Sequence, residues 1–258
     1  MRPIVIIPAR LAARRLPGKP LADIGGVPMV VRVLRQAERA GIGPVAVAAG
    51  DPEIVDVVEA AGGRAVMTDP ALPSGSDRVR AALNWLDPEG WHDAVINVQG
   101  DMPFLDPKAI AACAALLQDV PGCDISTTVA RERALADRSD PDVVKAVLAM
   151  DGERRGRALY FTRSTLFGEG PVWHHFGIYG YRREALNRFC AAPPSPLEQR
   201  EKLEQLRAME LGLSIWAAVI DEAPISVDNP SDLEAARTAA AGPSDPEAAS
   251  TAAAGRTS

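Results

Sequence analysis

Short apolar runs alternate with amphipathic stretches along the first 120 residues. Residues 3–7 read as a buried strand, because Ile4, Val5, Ile6 and Ile7 leave no polar face. Over residues 28–39, Met29, Val30, Val33, Leu34 and Ala37 recur at helical spacing, with Arg32, Arg35, Gln36 and Arg39 on another face. Gly41 and Gly43 punctuate the chain, residues 45–49 give a second strand, and residues 53–61 give a helix closed by Gly62-Gly63. A short strand follows at Val66-Met67, then a helix over 76–86 and a strand over 94–98. The next helix, 107–117, has Asp106 as its N-cap. Such alternation predicts a parallel sheet with helices on both faces.

Past residue 123 the pattern changes. Strands at 124–130, 143–148, 158–161 and 176–181 follow one another with little helix between them. They read as antiparallel additions to the sheet and a smaller subregion. Pro194 and Pro196 break the chain, and a helix over 197–211, a strand over 215–220 and a helix over 229–241 complete it. The expected fold is α/β: a doubly wound, mainly parallel but mixed sheet, in one domain over residues 1–238, with a small lobe inserted at about 125–215. Residues 239–258 hold eight Ala but no Val, Ile, Leu, Met or aromatic residue, and are expected to form a disordered tail.

Composition narrows the function. A chain of 258 residues that is 47% apolar can bury a core without disulfide or metal staples. Its 28 Lys and Arg against 34 Asp and Glu give a net charge of −6, and no long basic run breaks that balance. Neither nucleic acid nor an anionic membrane is the expected partner. Aromatics at 5% also disfavour a stacking platform for single strands. Cys113, Cys123 and Cys190 show no CxxC spacing, which excludes a disulfide framework or zinc knuckle. No apolar stretch approaches 18 residues, and the run at 4–7 meets Pro8 and Arg10, so a cytosolic protein is expected.

The first candidate for chemistry directly follows the first strand. From Pro8 to Lys19 the loop sets Arg10, Arg14, Arg15 and Lys19 within ten residues, and Gly18 lets backbone amides approach an anion. Guanidinium forks and a lysine point charge, at the carboxyl edge of a sheet, suit a triphosphate. No Walker A pattern occurs, and the GxGxxA-like run at 41–46 precedes a strand instead of following one. Side chains must therefore grip the phosphates together with the backbone.

Asn97-Val98-Gln99-Gly100-Asp101 ends the strand at 94–98. A carboxylate there either holds Mg²⁺ against a phosphate or caps a helix, and the residues alone leave both roles open. Asp228, in Val227-Asp228-Asn229-Pro230, carries the same two readings. That the two aspartates share one metal, although 127 residues apart, is the sharper of these, and spacing does not decide it. The loop Pro73-Ser74-Gly75-Ser76-Asp77-Arg78 offers hydroxyls and N–H groups to a base or phosphate, or simply starts a helix. His174 and His175 point to opposite faces of a strand, so they do not hold one ion between them. The charged helix at 197–211 reads as a solvated face. No GxSxG, HExxH or kinase set is present, so no protein nucleophile is indicated.

Several of these runs together resemble one family, the 3-deoxy-manno-octulosonate (KDO) cytidylyltransferases. The similar segments are Pro8 to Leu21, the Ser-Gly-Ser-Asp-Arg run at 74–78, the Asn-Val-Gln-Gly-Asp run at 97–101 and Val-Val-Lys at 143–145. Others are Leu-Tyr-Phe-Thr-Arg at 159–163, residues 175–181, 194–198 and 203–207, and Val227-Asp228. They run in order from residue 3 to about 238.

The resemblance implies a sheet of nucleotide-diphospho-sugar transferase type. It also implies a reaction in which CTP and KDO give CMP-KDO and pyrophosphate, with Mg²⁺, in the cytoplasm, for lipopolysaccharide synthesis. A homodimer joined through the inserted lobe is implied as well. Residue by residue, Arg10, Arg15 and Lys19 look like phosphate ligands, and Ala9, Ser74 and Arg78 like nucleotide contacts. Asp101 and Asp228 look like Mg²⁺ ligands, with Lys19, Asp101 and Arg15 central to catalysis. Gln99, His175, Tyr179, Glu204 and Gln205 look like the sugar-acid site. The alternatives are a cytidylyltransferase for a related sugar acid such as an amino-KDO, or a non-catalytic nucleotide-sugar binding protein. A glycosyltransferase would show DxD at the metal strand, which Gly100-Asp101-Met102 lacks.

Overall fold

The computed structural model describes residues 1–12, 15–132 and 134–242. In chain order these form β1 (Pro3–Ala9), a small hairpin of β2 (Asp23–Ile24) and β3 (Val27–Pro28), α1 (Met29–Arg39), β4 (Val45–Ala49) and α2 (Pro52–Ala60). Next come β5 (Ala65–Met67), α3 (Gly75–Leu86), β6 (Ala94–Asn97), α4 (Pro107–Asp119) and β7 (Ile125–Arg131). The rest comprises β8 (Lys145–Met150), β9 (Arg155–Thr162), β10 (Trp173–Arg182), α5 (Arg183–Ala191), α6 (Pro196–Glu201), α7 (Gln205–Glu210), β11 (Ile215–Ile220) and α8 (Pro230–Ala240).

Ile4, Val5, Ile6 and Ile7 are all buried because β1 has a strand on each side and helices over both faces. Val5 and Ile7 pack with Val30 and Leu34 of α1, Val58 of α2 and Ile110 of α4. Ile4 and Ile6 face Val79 and Leu83 of α3, Leu186 and Phe189 of α5 and Leu206 of α7. A separate small cluster docks Leu233, Ala236 and Ala240 of α8 onto Ile24 and Met29.

Among the described residues, nine strands form one sheet in the order β5-β4-β1-β6-β10-β7-β11-β9-β8. The expectation of a mainly parallel sheet holds only for part of it. Among the described residues, β5, β4, β1 and β6 run parallel, as do β7 and β11, and the other pairings are antiparallel. The reversal comes from β10, a ten-residue strand that returns from the far edge and inserts antiparallel between β6 and β7. All strands of the 125–215 region therefore join the same sheet.

Three other details differ from the sequence reading. Helix α5 was not expected. The helix expected over 197–211 is two short ones, α6 and α7, separated at Lys202, whose φ of 57° lies in the left-handed region. Its charged residues are also not simply solvated: Arg207 is buried, ion-paired with Glu198 at 2.6 Å and stacked 4.6 Å from the Phe189 ring. Helix α8 includes Ala239 and Ala240, while the remainder of the expected tail from residue 243, like Arg14, lies outside the described residues. No helix among the described residues is long and apolar enough to cross a membrane.

Helix α5 is fastened by Asp87, which follows α3 and is almost fully buried. Its carboxylate accepts from the N–H groups of Trp91 (2.9 Å) and His92 (2.7 Å) and from the Arg183 guanidinium at the start of α5. Burial alone would raise the Asp87 pKa, but these donors outweigh it and hold the carboxyl below its usual range. The carboxylate therefore stabilises the fold above about pH 4, and that contribution is lost as pH falls through its depressed pKa. Arg183→Met should cost about 3 kcal/mol in urea unfolding at pH 7, because Asp87 is left buried without its cation. The deficit should narrow below pH 4.

Candidate active site

The loop after β1 is shaped by a turn and by a brace. Gly18 has a φ of 70°, which side-chain-bearing residues rarely adopt, and its N–H bonds to the Leu11 carbonyl at 3.1 Å. The chain then turns into a single 3₁₀ turn, Lys19–Leu21, that sends the Lys19 side chain back toward the sheet. From the neighbouring strand, Asp51 Oδ2 accepts the Leu11 N–H at 2.7 Å. With α3 on the opposite wall, the loop encloses a cavity of about 460 Å³ lined by Ala9, Arg10, Lys19, Ser74, Arg78, Gln99 and Asp101, among others. It opens at the carboxyl ends of β1 and β6.

Two carboxylates meet at one end of this cavity. Asp101 follows β6, and its carbonyl accepts the Val227 N–H at 2.9 Å, which draws the segment before α8 alongside it. Asn229 caps α8 by accepting the Asp232 N–H, and Asp232 in turn accepts from the N–H groups of Asp228 and Asn229. Asp228 is thereby fixed beside Asp101. Lys19 Nζ bridges the pair, 2.9 Å from Asp101 Oδ2 and 3.2 Å from Asp228 Oδ1, and Arg15 Nη2 lies 3.2 Å from the same Asp228 oxygen. At an effective dielectric of ~20, the Lys19–Asp101 contact is worth about 5 kcal/mol of attraction before desolvation is counted, whereas the exposed Arg15 contact is screened by solvent. Burial pushes the Asp101 carboxyl above its ordinary pKa; Lys19 pulls it back down and Asp228 adds to the rise. Asp101 Oδ1 is buried with no hydrogen-bond partner.

Beyond Gln99 the floor of the cleft is β10. The ladder between β10 and β7 is regular up to Phe176 opposite Thr128, then resumes at Tyr179 opposite Thr127, leaving Gly177 and Ile178 as a bulge. A Cβ at Gly177 would sit 3.3 Å from Gln99 Cγ, so the Gln99 side chain would have to shift by a few tenths of an ångström to admit one. Thr127 Oγ1 occupies the bulge, donating toward the Ile178 carbonyl (2.8 Å) and lying 2.9 Å from His175 Nε2. His175 packs edge-on to Phe161, with ring centres 4.9 Å apart, and leans on Tyr179 at 5.4 Å. Burial lowers the His175 pKa to about 3, so its imidazole is neutral at pH 7. Burial raises the Tyr179 phenol, which stays protonated.

Glu204 reaches across from the start of α7. Its Oε2 accepts the Ser76 hydroxyl at 3.0 Å, and Arg207 approaches its Oε1 at 3.5 Å. Burial raises its pKa, opposed by the Ser76 and Ser74 hydroxyls and by Arg207. Gln205 is buried with its Nε2 lacking a partner. Ser74, the N-cap of α3, lines both the first cavity and a second that includes Glu204 and Arg207.

Residues 4–215 match the cytidylyltransferase family. The chain is 59% identical to a 3-deoxy-manno-octulosonate cytidylyltransferase of Parvibaculum lavamentivorans over 93% of each sequence. It is 58% identical to the protein of that name in Rhodospirillum centenum, over 91% of this chain and 92% of that one. The chain belongs to the 3-deoxy-manno-octulosonate cytidylyltransferase family. Its fold superposes on a solved CMP:2-keto-3-deoxy-manno-octonic acid synthetase in complex with CTP with a TM-score of 0.85. That protein is 35% identical, with 93% of this chain and 99% of that chain covered.

The residues expected from the family resemblance fall into two connected groups. Ala9, Arg10, Lys19, Ser74, Arg78, Gln99 and Asp101 line the first cavity, and Asp228 and Arg15 join it through Lys19 and each other. His175, Tyr179, Glu204 and Gln205 are not on that wall and lie further along, on β10 and α7. Asp101 does not cap α4; that N-cap is Asp106, which accepts the Lys108 N–H. His174 and His175 do diverge, His174 toward Asp137 at 3.7 Å and His175 toward Thr127.

Three supporting residues were missed. Thr127 fixes His175, Asp51 braces the first loop, and Thr68, with the Asp69 carbonyl, accepts the buried Arg78 guanidinium. All three are common polar residues in or just after strands, and their roles arise from neighbours distant in sequence.

An imidazole with a pKa near 3 remains neutral across the neutral range. In an NMR titration, His175 should show no protonation between pH 8 and pH 5, where an unperturbed histidine passes its midpoint near 6.5. A midpoint above 5.5 would contradict the buried setting. The linkage follows the same sign: the unfolded chain binds the proton first, so this contribution to stability is full above about pH 6.5 and falls away as the solution is acidified.

Proposed function

We propose that this chain transfers CMP from CTP to the anomeric hydroxyl of KDO, releasing CMP-KDO and pyrophosphate for lipopolysaccharide biosynthesis. Near full-length identity of 58–59% to enzymes named for this activity supports it, as does the likeness to a structure holding CTP. The observation that carries the reading is the convergence of Lys19 and Arg15 on a paired carboxylate site at the carboxyl edge of the sheet, in a cavity that Arg10 also lines. We further read the chain as a cytoplasmic, Mg²⁺-dependent homodimer with a doubly wound nucleotide-diphospho-sugar transferase sheet, the region at about 125–215 forming its acceptor and dimer lobe.

The donor set fits a divalent cation. Mg²⁺ is commonly held by one or two carboxylates together with substrate phosphates, and here two carboxylates adjoin, one with a buried oxygen lacking any partner. Asp101 and Asp228 would hold it, and when bound it supplies charge neutralisation at the phosphate oxygens.

The remaining work falls to this chain's own residues. Arg10, Arg15 and Lys19 bind the triphosphate, and Ala9, Ser74 and Arg78 border the nucleoside. The sugar's anomeric hydroxyl attacks the α-phosphorus in line and gives up its proton to solvent, the bond to the bridging oxygen of the β-phosphate breaks, and pyrophosphate departs with its negative charge against the lysine and arginines. No protein nucleophile takes part. Gln99, His175, Tyr179, Glu204 and Gln205 position the sugar acid, with His175 as a neutral hydrogen-bonding group held by Thr127.

Pyrophosphate release measured over a panel of nucleoside triphosphates and sugar acids should single out CTP with KDO. Productive turnover of a different sugar acid, with none of KDO, would refute the reading. Asp101→Ala should lower kcat about 10³-fold, equivalent to ~4 kcal/mol of transition-state stabilisation, while circular dichroism stays unchanged.

A further inference from the structure

Lys19 stands where a cation belongs. Its ammonium sits between two carboxylates drawn from distant parts of the chain, 2.9 Å from one and 3.2 Å from the other, on a side chain only 15% exposed. The third charge near the pair, Arg15, is 68% exposed and touches Asp228 alone. Charge is thus balanced, but coordination is not complete: Asp101 Oδ1 remains buried without a hydrogen bond.

An ammonium and a divalent cation cannot share these oxygens. Mg²⁺ needs oxygen ligands at about 2.0–2.1 Å in a near-octahedral shell, which the Lys19 Nζ position already fills. Two positive centres a few ångströms apart in a half-buried site would also repel each other. The lysine stem is flexible and its three donors are rotatable, whereas its backbone is fixed by the Gly18 turn and the 3₁₀ turn that follows. The side chain can leave while its anchor stays.

We propose that Lys19 is a tethered counter-ion that occupies the Asp101–Asp228 pair in the nucleotide-free protein, so that a divalent cation is admitted together with the triphosphate and not before it. The incoming phosphates give the ammonium a new set of anionic partners, and its withdrawal opens the carboxylates. Nucleotide and cation are then linked ligands, each relieving the same conformational restriction for the other. The protein avoids sequestering free cations in a site without substrate. This inference rests on the reading of Asp101 and Asp228 as the cation-holding residues.

The test is Mn²⁺ binding to the full chain, read as the loss of the free-ion electron paramagnetic resonance signal. Without nucleotide, the wild type should bind Mn²⁺ at least tenfold more weakly than Lys19→Met, and Lys19→Arg, which keeps the charge, should stay as weak as wild type. Adding Asp228→Asn to Lys19→Met should abolish the gain. In parallel, Mg²⁺ should raise the thermal midpoint of Lys19→Met and leave that of nucleotide-free wild type unchanged.

If wild type binds Mn²⁺ as tightly without CTP as with it, the proposal fails, whatever the variants do. If Lys19→Met binds no tighter than wild type while CTP-supported binding still requires Asp228, the counter-ion role fails and the carboxylate cation site stands. If Asp101→Asn and Asp228→Asn leave CTP-supported Mn²⁺ binding unchanged, both fall together.

Discussion

Two carboxylates at the bottom of a cleft must be compensated, and much of the architecture serves that constraint. Asp101 is half-buried with one carboxylate oxygen enclosed, so its charge is stabilised by a cation beside it. Lys19 supplies the cation because a left-handed glycine turns its loop inward. The second carboxylate is delivered by one backbone hydrogen bond, from Val227 N–H to the Asp101 carbonyl, and held by the capping box of α8. Helix α8 in turn packs on Ile24 and Met29, next to the loop that carries Lys19. Removing any one of these supports leaves the others holding an uncompensated charge.

Placement at the sheet edge follows from topology. Parallel strands force crossover connections, and the loops leaving β1 and β6 emerge together because these strands are neighbours. The cleft is extended by β10, which runs the opposite way and brings His175, in its amino-terminal half, and Tyr179, opposite Asn97 at the end of β6, to the same edge.

How much of this the sequence displayed depends on whether the signal was local. The first half was legible because its strands are short apolar runs bounded by glycine or proline and its helices carry caps or C-terminal glycines; the strand at 45–49 agrees with β4 at both ends. Helix α5 escaped notice because it opens on Arg183-Glu184 with no capping side chain, and it buries just Ala185, Leu186 and Phe189. The break between α6 and α7 was hidden because the left-handed residue is Lys202, not a glycine; the Glu198–Arg207 pair spans it. Strand β9 runs longer than expected and β8 is displaced by two residues, since alternation with Arg155 and Arg157 masks the period of β9. The candidate site was readable as separate motifs and, through the family resemblance, as a set of residues. That Asp101 and Asp228 adjoin is a long-range fact, made by one backbone bond that spacing does not encode.

The bulge at Gly177 and Ile178 has an evolutionary consequence. It interrupts the ladder between β10 and β7 while the pairing of Tyr179 with Asn97 continues undisturbed. A change in the length of this bulge by two residues would preserve which face each β10 side chain occupies, yet slide His175 along the strand axis relative to Asp101. One half of the cleft can therefore be re-measured while the other keeps its geometry. Divergence within such a scaffold needs no new fold, only a different count of residues at one irregular point in a strand.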